Sequence, residues 1–348
     1  LYLFIIGITF IKAYGQEDSG PVNTGAANYL TIPVDARSAA MGGAGVAISR
    51  VNNAVFHNGA ATLSEAMHKG GVTYTYSPWM RDYESGYSLH SLGGFYKINK
   101  RNAILLGFRY FGYPEMDGIG EDASGIHPKE IAVAAGYAYE VIKNLSVSAT
   151  FKYLYSDMGK IGNSNGASSV AFDLGILYKR EIKDWEGAGW SVGIHASNLG
   201  PKIKYLTSKE ALPAMVKVGG AADLPFASMH RLTLTADLGY RLSPDDVQAL
   251  NVSAGAEYAW MEHLMLRGGY HYGDKNKGDA SYATAGAGVE YAGVHLDFAW
   301  MFAGHECLAR NTFWISLRIL FFNSCTVSPR SLYTYIRLLG YRLLTGRL

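Results

Sequence analysis

Gly189-Trp190-Ser191-Val192-Gly193 has the G-x-S-x-G spacing of an esterase nucleophile, and His195 follows on the same face of its segment. A nucleophile elbow needs a strand, a sharp turn and a helix, so that the serine hydroxyl stands clear of the backbone. Here the alternation runs on through Ile194-His195-Ala196, and the elbow is absent. A hydrolase built on Ser191 and His195 is the enzymatic alternative to ordinary polarity on a water-facing wall. Gly42-Gly43-Ala44-Gly45 is glycine-rich, but no buried strand of a βαβ unit precedes it, as a dinucleotide loop would require. Cys307 and Cys325 cannot make a disulfide framework and lie in no zinc spacing, and HExxH, EF-hand and Walker patterns are absent from the sequence. The chain is therefore expected to be no enzyme, with no metal and no cofactor.

These residues must be held by strands. Across 348 residues, hydrophobic types make up 49% and charged types 17%, and Gly (41) and Tyr (25) are abundant. That rules out intrinsic disorder. After residue 11 no apolar run approaches the roughly 18 residues of a membrane-spanning helix. Lys and Arg total 31 against 29 Asp and Glu, a net charge of +2, so no nucleic-acid partner is called for. What the composition fits is a β-barrel.

In 145–155, Leu145, Val147, Ala149, Phe151, Tyr153 and Tyr155 fall on one face, and Ser146, Ser148, Thr150 and Lys152 on the other. One face suits lipid and one suits water. The pattern predicts strands near 71–78, 87–98, 102–112, 129–140, 144–156, 168–179, 188–197, 213–224, 229–241, 249–259, 263–272, 281–292, 293–303 and 310–321. This is an all-β chain, a 14-stranded antiparallel transmembrane barrel in contact with outer-membrane lipid. The alternation turns Arg109, Lys152, Lys217, Arg267, Asp173, Asp237, Glu257, Glu290 and Asp297 toward the lumen, where both signs invite pairing.

Long and short connections alternate, as external loops and periplasmic turns do, with 180–187 and 243–248 as exceptions. Residues 1–15 read as a signal peptide with a truncated start. Residues 16–70 are expected to plug the lumen as a hatch, because a barrel of this width needs filling. The barrel is expected over 71–322. In 323–348 Arg330, Arg337, Arg342 and Arg347 occur with no acidic residue, which marks a tail outside the barrel.

The stretch 28–47, with Asp35, Arg37 and Met41-Gly42-Gly43-Ala44-Gly45-Val46-Ala47, followed by 53–61 with Asn53 and Asn58, resembles the start of the PorV/PorQ family of Bacteroidetes outer-membrane proteins. That family is similar to the superfamily typified by FadL, a fatty-acid channel. The resemblance implies a FadL-like barrel whose glycine motif lies in the N-terminal hatch. Where the family carries Asn-Pro-Ala, this chain has Asn58-Gly59-Ala60. Gly42, Gly43 and Gly45 permit tight turns and close approach to the wall, and Asp35 and Arg37 are expected to pair with lumenal charges.

For some members the resemblance implies a part in type IX secretion, with secreted cargo or secretion components as protein partners. A FadL-like transporter of a hydrophobic small molecule is the alternative, and a purely structural barrel is a third reading. External loops carry partner contacts most easily. Tyr113, Met116, Ile119, Ile203, Tyr205 and Leu206 are the apolar loop residues expected to make them, unless they merely pack over the mouth.

Overall fold

The computed structural model describes residues 25–49, 53–64, 68–82, 85–115, 125–158, 166–205, 208–227, 229–304, 307 and 309–322. The expected signal peptide, the tail 323–348, and Met116, Ile119 and Leu206 lie outside the described residues.

Fourteen antiparallel strands close into a barrel. They are β1 (His68–Pro78), β2 (Ser88–Asn99), β3 (Asn102–Gly112), β4 (Lys129–Ile142), β5 (Leu145–Asp157), β6 (Ala167–Glu181), β7 (Gly189–Leu199), β10 (Met215–Ala227), β11 (His230–Arg241), β12 (Leu250–Trp260), β13 (Leu264–Tyr272), β14 (Tyr282–Tyr291), β15 (Val294–Ala303) and β16 (Phe313–Phe322). Each lies within a few residues of its expected span. The sequence did not signal the two-residue strands β8 (Ile203–Lys204) and β9 (Lys209–Glu210), a small hairpin between β7 and β10. Closure comes from β1 pairing with β16, with Val72 opposite Ile319 and Thr75 opposite Ser316. A closed sheet leaves no edge unpaired, which is what a strand-built protein needs in hydrocarbon.

Period-2 geometry then sorts the side chains. Leu106, Phe172, Leu174 and Leu266 point outward and are exposed, whereas Thr73, Ser91, Thr150 and Asp237 point inward and are buried. So many large apolar groups on the outer surface would be untenable in water and suit a lipid annulus. Among the described residues no helix is long and apolar enough to cross a membrane.

The connections at one end are 79–87, 113–128, 158–166, 200–214, 242–249, 273–281 and 304–312, and at the other 100–101, 143–144, 182–188, 228–229, 261–263 and 292–293. The end with longer connections is the external one. The two exceptional connections leave this parity intact, because every strand still reverses direction.

Residues 25–49 and 53–64 run down the inside of the barrel. Near the external end Ala26 N–H donates to Ala211 O at 2.9 Å. Lower down, Trp314 Nε1 donates to Pro33 O (3.1 Å), and Lys179 Nζ reaches Ser64 O (3.2 Å) just before β1 begins. Among its described residues the segment holds one short α-helix, α1 (Ala36–Ala40), and three 3-10 helices, Asn28–Thr31, Ala54–Phe56 and Gly59–Ser64. Asp35 caps it by accepting from Ser38 N–H at 2.8 Å, satisfying a donor that the first helical turn leaves open.

Candidate functional site

Two features define the site: the contacts that fasten the inner segment to the wall, and the cavity this leaves at the external mouth.

The main fastening is electrostatic. Arg37 in α1 donates from Nε and Nη2 to the two oxygens of Glu257 on β12, both at 2.8 Å, and from Nη1 to Ser49 O at 2.9 Å. Glu257 also accepts from Arg267 Nε (2.6 Å), whose Nη1 reaches Asp297 (2.7 Å), and Arg318 Nη2 stands 3.8 Å from Asp297. This chain of alternating charges lies buried between the segment and β12, β13, β15 and β16. Bidentate pairing of this kind is what makes a buried guanidinium tolerable.

Asp35 departs from expectation, since it pairs with His57 of its own segment at 3.1 Å instead of with a wall charge. Burial works against its ionisation, but the hydrogen bond and charge of His57 hold the carboxyl well below the usual carboxylate range. The reason is local: the capping geometry turns Asp35 back over α1 and away from the wall.

The remaining lumenal charges also have identifiable neighbours. Lys152 pairs with Asp173 at 2.6 Å, His195 lies 3.8 Å from the same carboxylate, and Glu290 sits 3.3 Å from His295. Asp237 accepts from the Gly45 and Val46 amides at 2.7 and 3.1 Å, with Lys217 nearby. Arg109 is 1% exposed and donates to Leu30 O and Ile32 O, its guanidinium lying over the Tyr29 and Phe56 rings. Wall pairing alone, expected from the mixed signs, would not have found these last two: the partners are backbone groups of the inner segment.

The glycine motif works by proximity. Gly42 has φ +71° and Gly43 +80°, the left-handed region that favours glycine, and a Cβ on Gly42 would stand 2.5 Å from Tyr270 O. Met41 presses so closely on the wall that a Cβ on Gly255 or Gly269 would lie within 2.4 or 2.2 Å of it. Asn58, the first residue of the variant triplet, donates to Val46 O and Ile176 O at 3.0 Å and accepts from the Ala60 amide. Asn53 is buried with its side chain against Gly93. Ser191 donates to Ala47 O at 2.7 Å, so its hydroxyl is engaged with the segment and not with His195.

Three proposed loop contacts need correction. Ile203 is 0% exposed and Tyr113 is buried, and Tyr205 is mostly covered and donates to Ser156 Oγ at 3.1 Å. The β8/β9 hairpin folds inward, and these side chains join Tyr29, Ala26 and Leu212 in a core beneath the mouth. Loop apolar groups cannot be sorted into inward and outward by sequence, because loops lack a fixed side-chain period. Tyr113 donates to Glu130 Oε2 at 2.7 Å.

Above this core lies a cavity of about 1160 Å³, floored by Ala27 to Pro33 and walled by Trp79, Phe111, Tyr272, Tyr282 and Arg241. The sequence reading passed over Arg241, although it continues the inward parity of Asp237 on β11. Among the described residues no group of three His, Cys, Asp or Glu side chains is placed to hold a metal ion.

Fold and site together define a bacterial outer-membrane β-barrel with an occupied lumen and an open external vestibule. Residues 15–248 match the family model described as type IX secretion system protein PorV, and the chain belongs to that family. The fold is shared with the toluene transporter TbuX of Ralstonia pickettii (14% identity, TM-score 0.55, covering 83% of this chain and 98% of that one). It is shared equally with the monoaromatic hydrocarbon channel CymD (14%, 0.52, covering 84% and 99%) and the P. putida toluene transporter TodX (13%, 0.52, covering 85% and 100%). No curated protein sequence matches.

Proposed function

We propose that this type IX secretion outer-membrane protein acts as a docking barrel, holding secreted cargo or another secretion component at its external mouth. The observation that carries the reading is the fastening of residues 25–49 and 53–64 from the 200–214 connection at Ala211 down the wall to Lys179 on β6, through buried ion pairs and hydrogen bonds. Such an arrangement favours a rigid platform with its recognition surface at the vestibule over a free conduit. Co-purification from native membranes tests it. Secreted proteins or secretion components should be retained by the detergent-solubilised barrel, and surface display of cargo should fall when the protein is deleted. Undiminished display with no retained protein would refute the reading.

The aromatic lining of the vestibule favours a second reading, uptake of a hydrophobic small molecule as the names of TbuX, CymD and TodX state for those proteins. It expects a small apolar ligand to accumulate in the purified barrel, and loss of uptake on deletion.

A further inference from the structure

Asn53 is a motif residue of the inner segment whose side chain takes no part in the fastening described above. It is 1% exposed and lies over Gly93 of β2. Among the described residues neither Nδ2 nor Oδ1 of Asn53 has a hydrogen-bond partner. Neither has the hydroxyl of Thr73, which is buried on β1 opposite Gly93 in the β1–β2 ladder. Both ends of the Asn53 amide are unpaired, so exchanging its oxygen and nitrogen would change nothing. Burying such groups dry costs about 1–3 kcal/mol each, and native interiors almost always supply a partner.

Asn53 and Thr73 line one cavity of about 20 Å³ between the inner segment and the wall of β1, β15 and β16. Roughly 10–15 Å³ of such space is enough for one water molecule, so the cavity admits a guest of that size.

The lining selects the guest. Its formal charges cancel, Arg37 and Arg318 against Asp35 and Asp297, and Arg37 is already held by Glu257 and Asp35 by His57. Ser316 is engaged too, accepting from the Ala36 amide and bonded to the Thr75 hydroxyl, both at 2.8 Å. What is left is an amide and a hydroxyl, each able both to donate and to accept. A cation would leave the Asn53 N–H groups unmet, and an anion would leave Oδ1 unmet. Water meets both.

We infer that this cavity is a water site, in which one buried water bridges Asn53 of the inner segment to Thr73 of the wall. Asn53 is thereby a positioning residue, holding the inner segment to the wall through that water. The inference is independent of what the vestibule binds.

Two measurements on the full chain in detergent test it. A high-resolution crystal structure should show density for one water within hydrogen-bond distance of both Asn53 and Thr73. A direct Asn53–Thr73 bond, a dry cavity, or bromide in the cavity by anomalous scattering after a bromide soak each overturns it, and none of these needs a variant to fold. The second measurement turns on a sign. Thr73→Val keeps the shape and removes only the hydroxyl. If that hydroxyl were dry and unpaired, its loss would slow protease cleavage of the inner segment or leave it unchanged. If it holds the water, cleavage should rise about fivefold, the scale of one lost buried hydrogen bond. Thr73→Ser, which keeps the hydroxyl, should retain the water density. Asn53→Ala should raise cleavage by a smaller factor in the Thr73→Val background than in the wild type, because both changes remove the same bridge. Equal factors in the two backgrounds, or cleavage of Thr73→Val at or below the wild-type rate, overturn the inference.

Discussion

Arg37 and Glu257, one on the inner segment and one on the wall, meet through two parallel hydrogen bonds of 2.8 Å. Glu257 is shared with Arg267, so this single carboxylate joins the inner segment to the charge chain that runs through β12, β13 and β15.

Replacing Glu257 with Ala should therefore loosen the segment more than any other single change in the lumen. Removing one partner of a buried pair costs about 3–5 kcal/mol, because the other charge is left uncompensated. Conductance in planar bilayers and protease cleavage within 25–64 should both rise. The joint change Arg37→Met with Glu257→Met should lie closer to wild type than Glu257→Ala; if the double change conducts as much or more, the pair is not what fastens the segment.

Gly42→Ala tests the close approach. The substitution meets both a positive φ and the Tyr270 carbonyl 2.5 Å away, and should destabilise by more than about 1 kcal/mol. Gly268→Ala is its control, since the nearest atom to a new Cβ there is 3.9 Å away and the site faces outward. The temperature at which the folded band converts on heating gels should drop for the first and hold for the second.

Ile203→Ala should act on the mouth as a packing defect. Its side chain is fully buried, and truncating a buried Ile costs about 2–5 kcal/mol. Protease cleavage in 200–214 should accelerate while the barrel stays closed. A surface contact residue would instead lose partner binding with no change in cleavage.

The Asp35–His57 pair makes stability depend on pH in a defined direction. The folded-state carboxyl is held below its ordinary value, so its contribution is present above the unfolded value of about 3.9 and is lost as pH falls below that toward the folded value. The stability gap between wild type and Asp35→Asn should be wider at pH 5 than at pH 3, by thermal unfolding in detergent. A gap that widens on acidification would show that Asp35 is not held as an anion.

Much of this architecture is legible along the chain. In β5 the alternation of Phe151 and Tyr153 with Lys152 tells the lipid face from the lumenal face, and Arg37 could be matched to lumenal acids in kind. What escaped was Asp35, turned inward by its own helix cap, and Tyr113 and Ile203, whose loops fold under the mouth. Each depends on where a connection goes after it leaves a regular strand.

The sequence by itself determined the number of barrel strands, their two faces and the end at which the long loops lie, because side-chain alternation is a property of the extended backbone and needs no distant partner. Only the tertiary structure decided that Asp237 would accept from the Gly45 and Val46 amides, Arg109 would donate to Leu30 and Ile32, and Arg241 would line the vestibule. Arg37 and Glu257 stand 220 residues apart, and what brings them together is barrel closure and register, with the path of the inner segment between the walls.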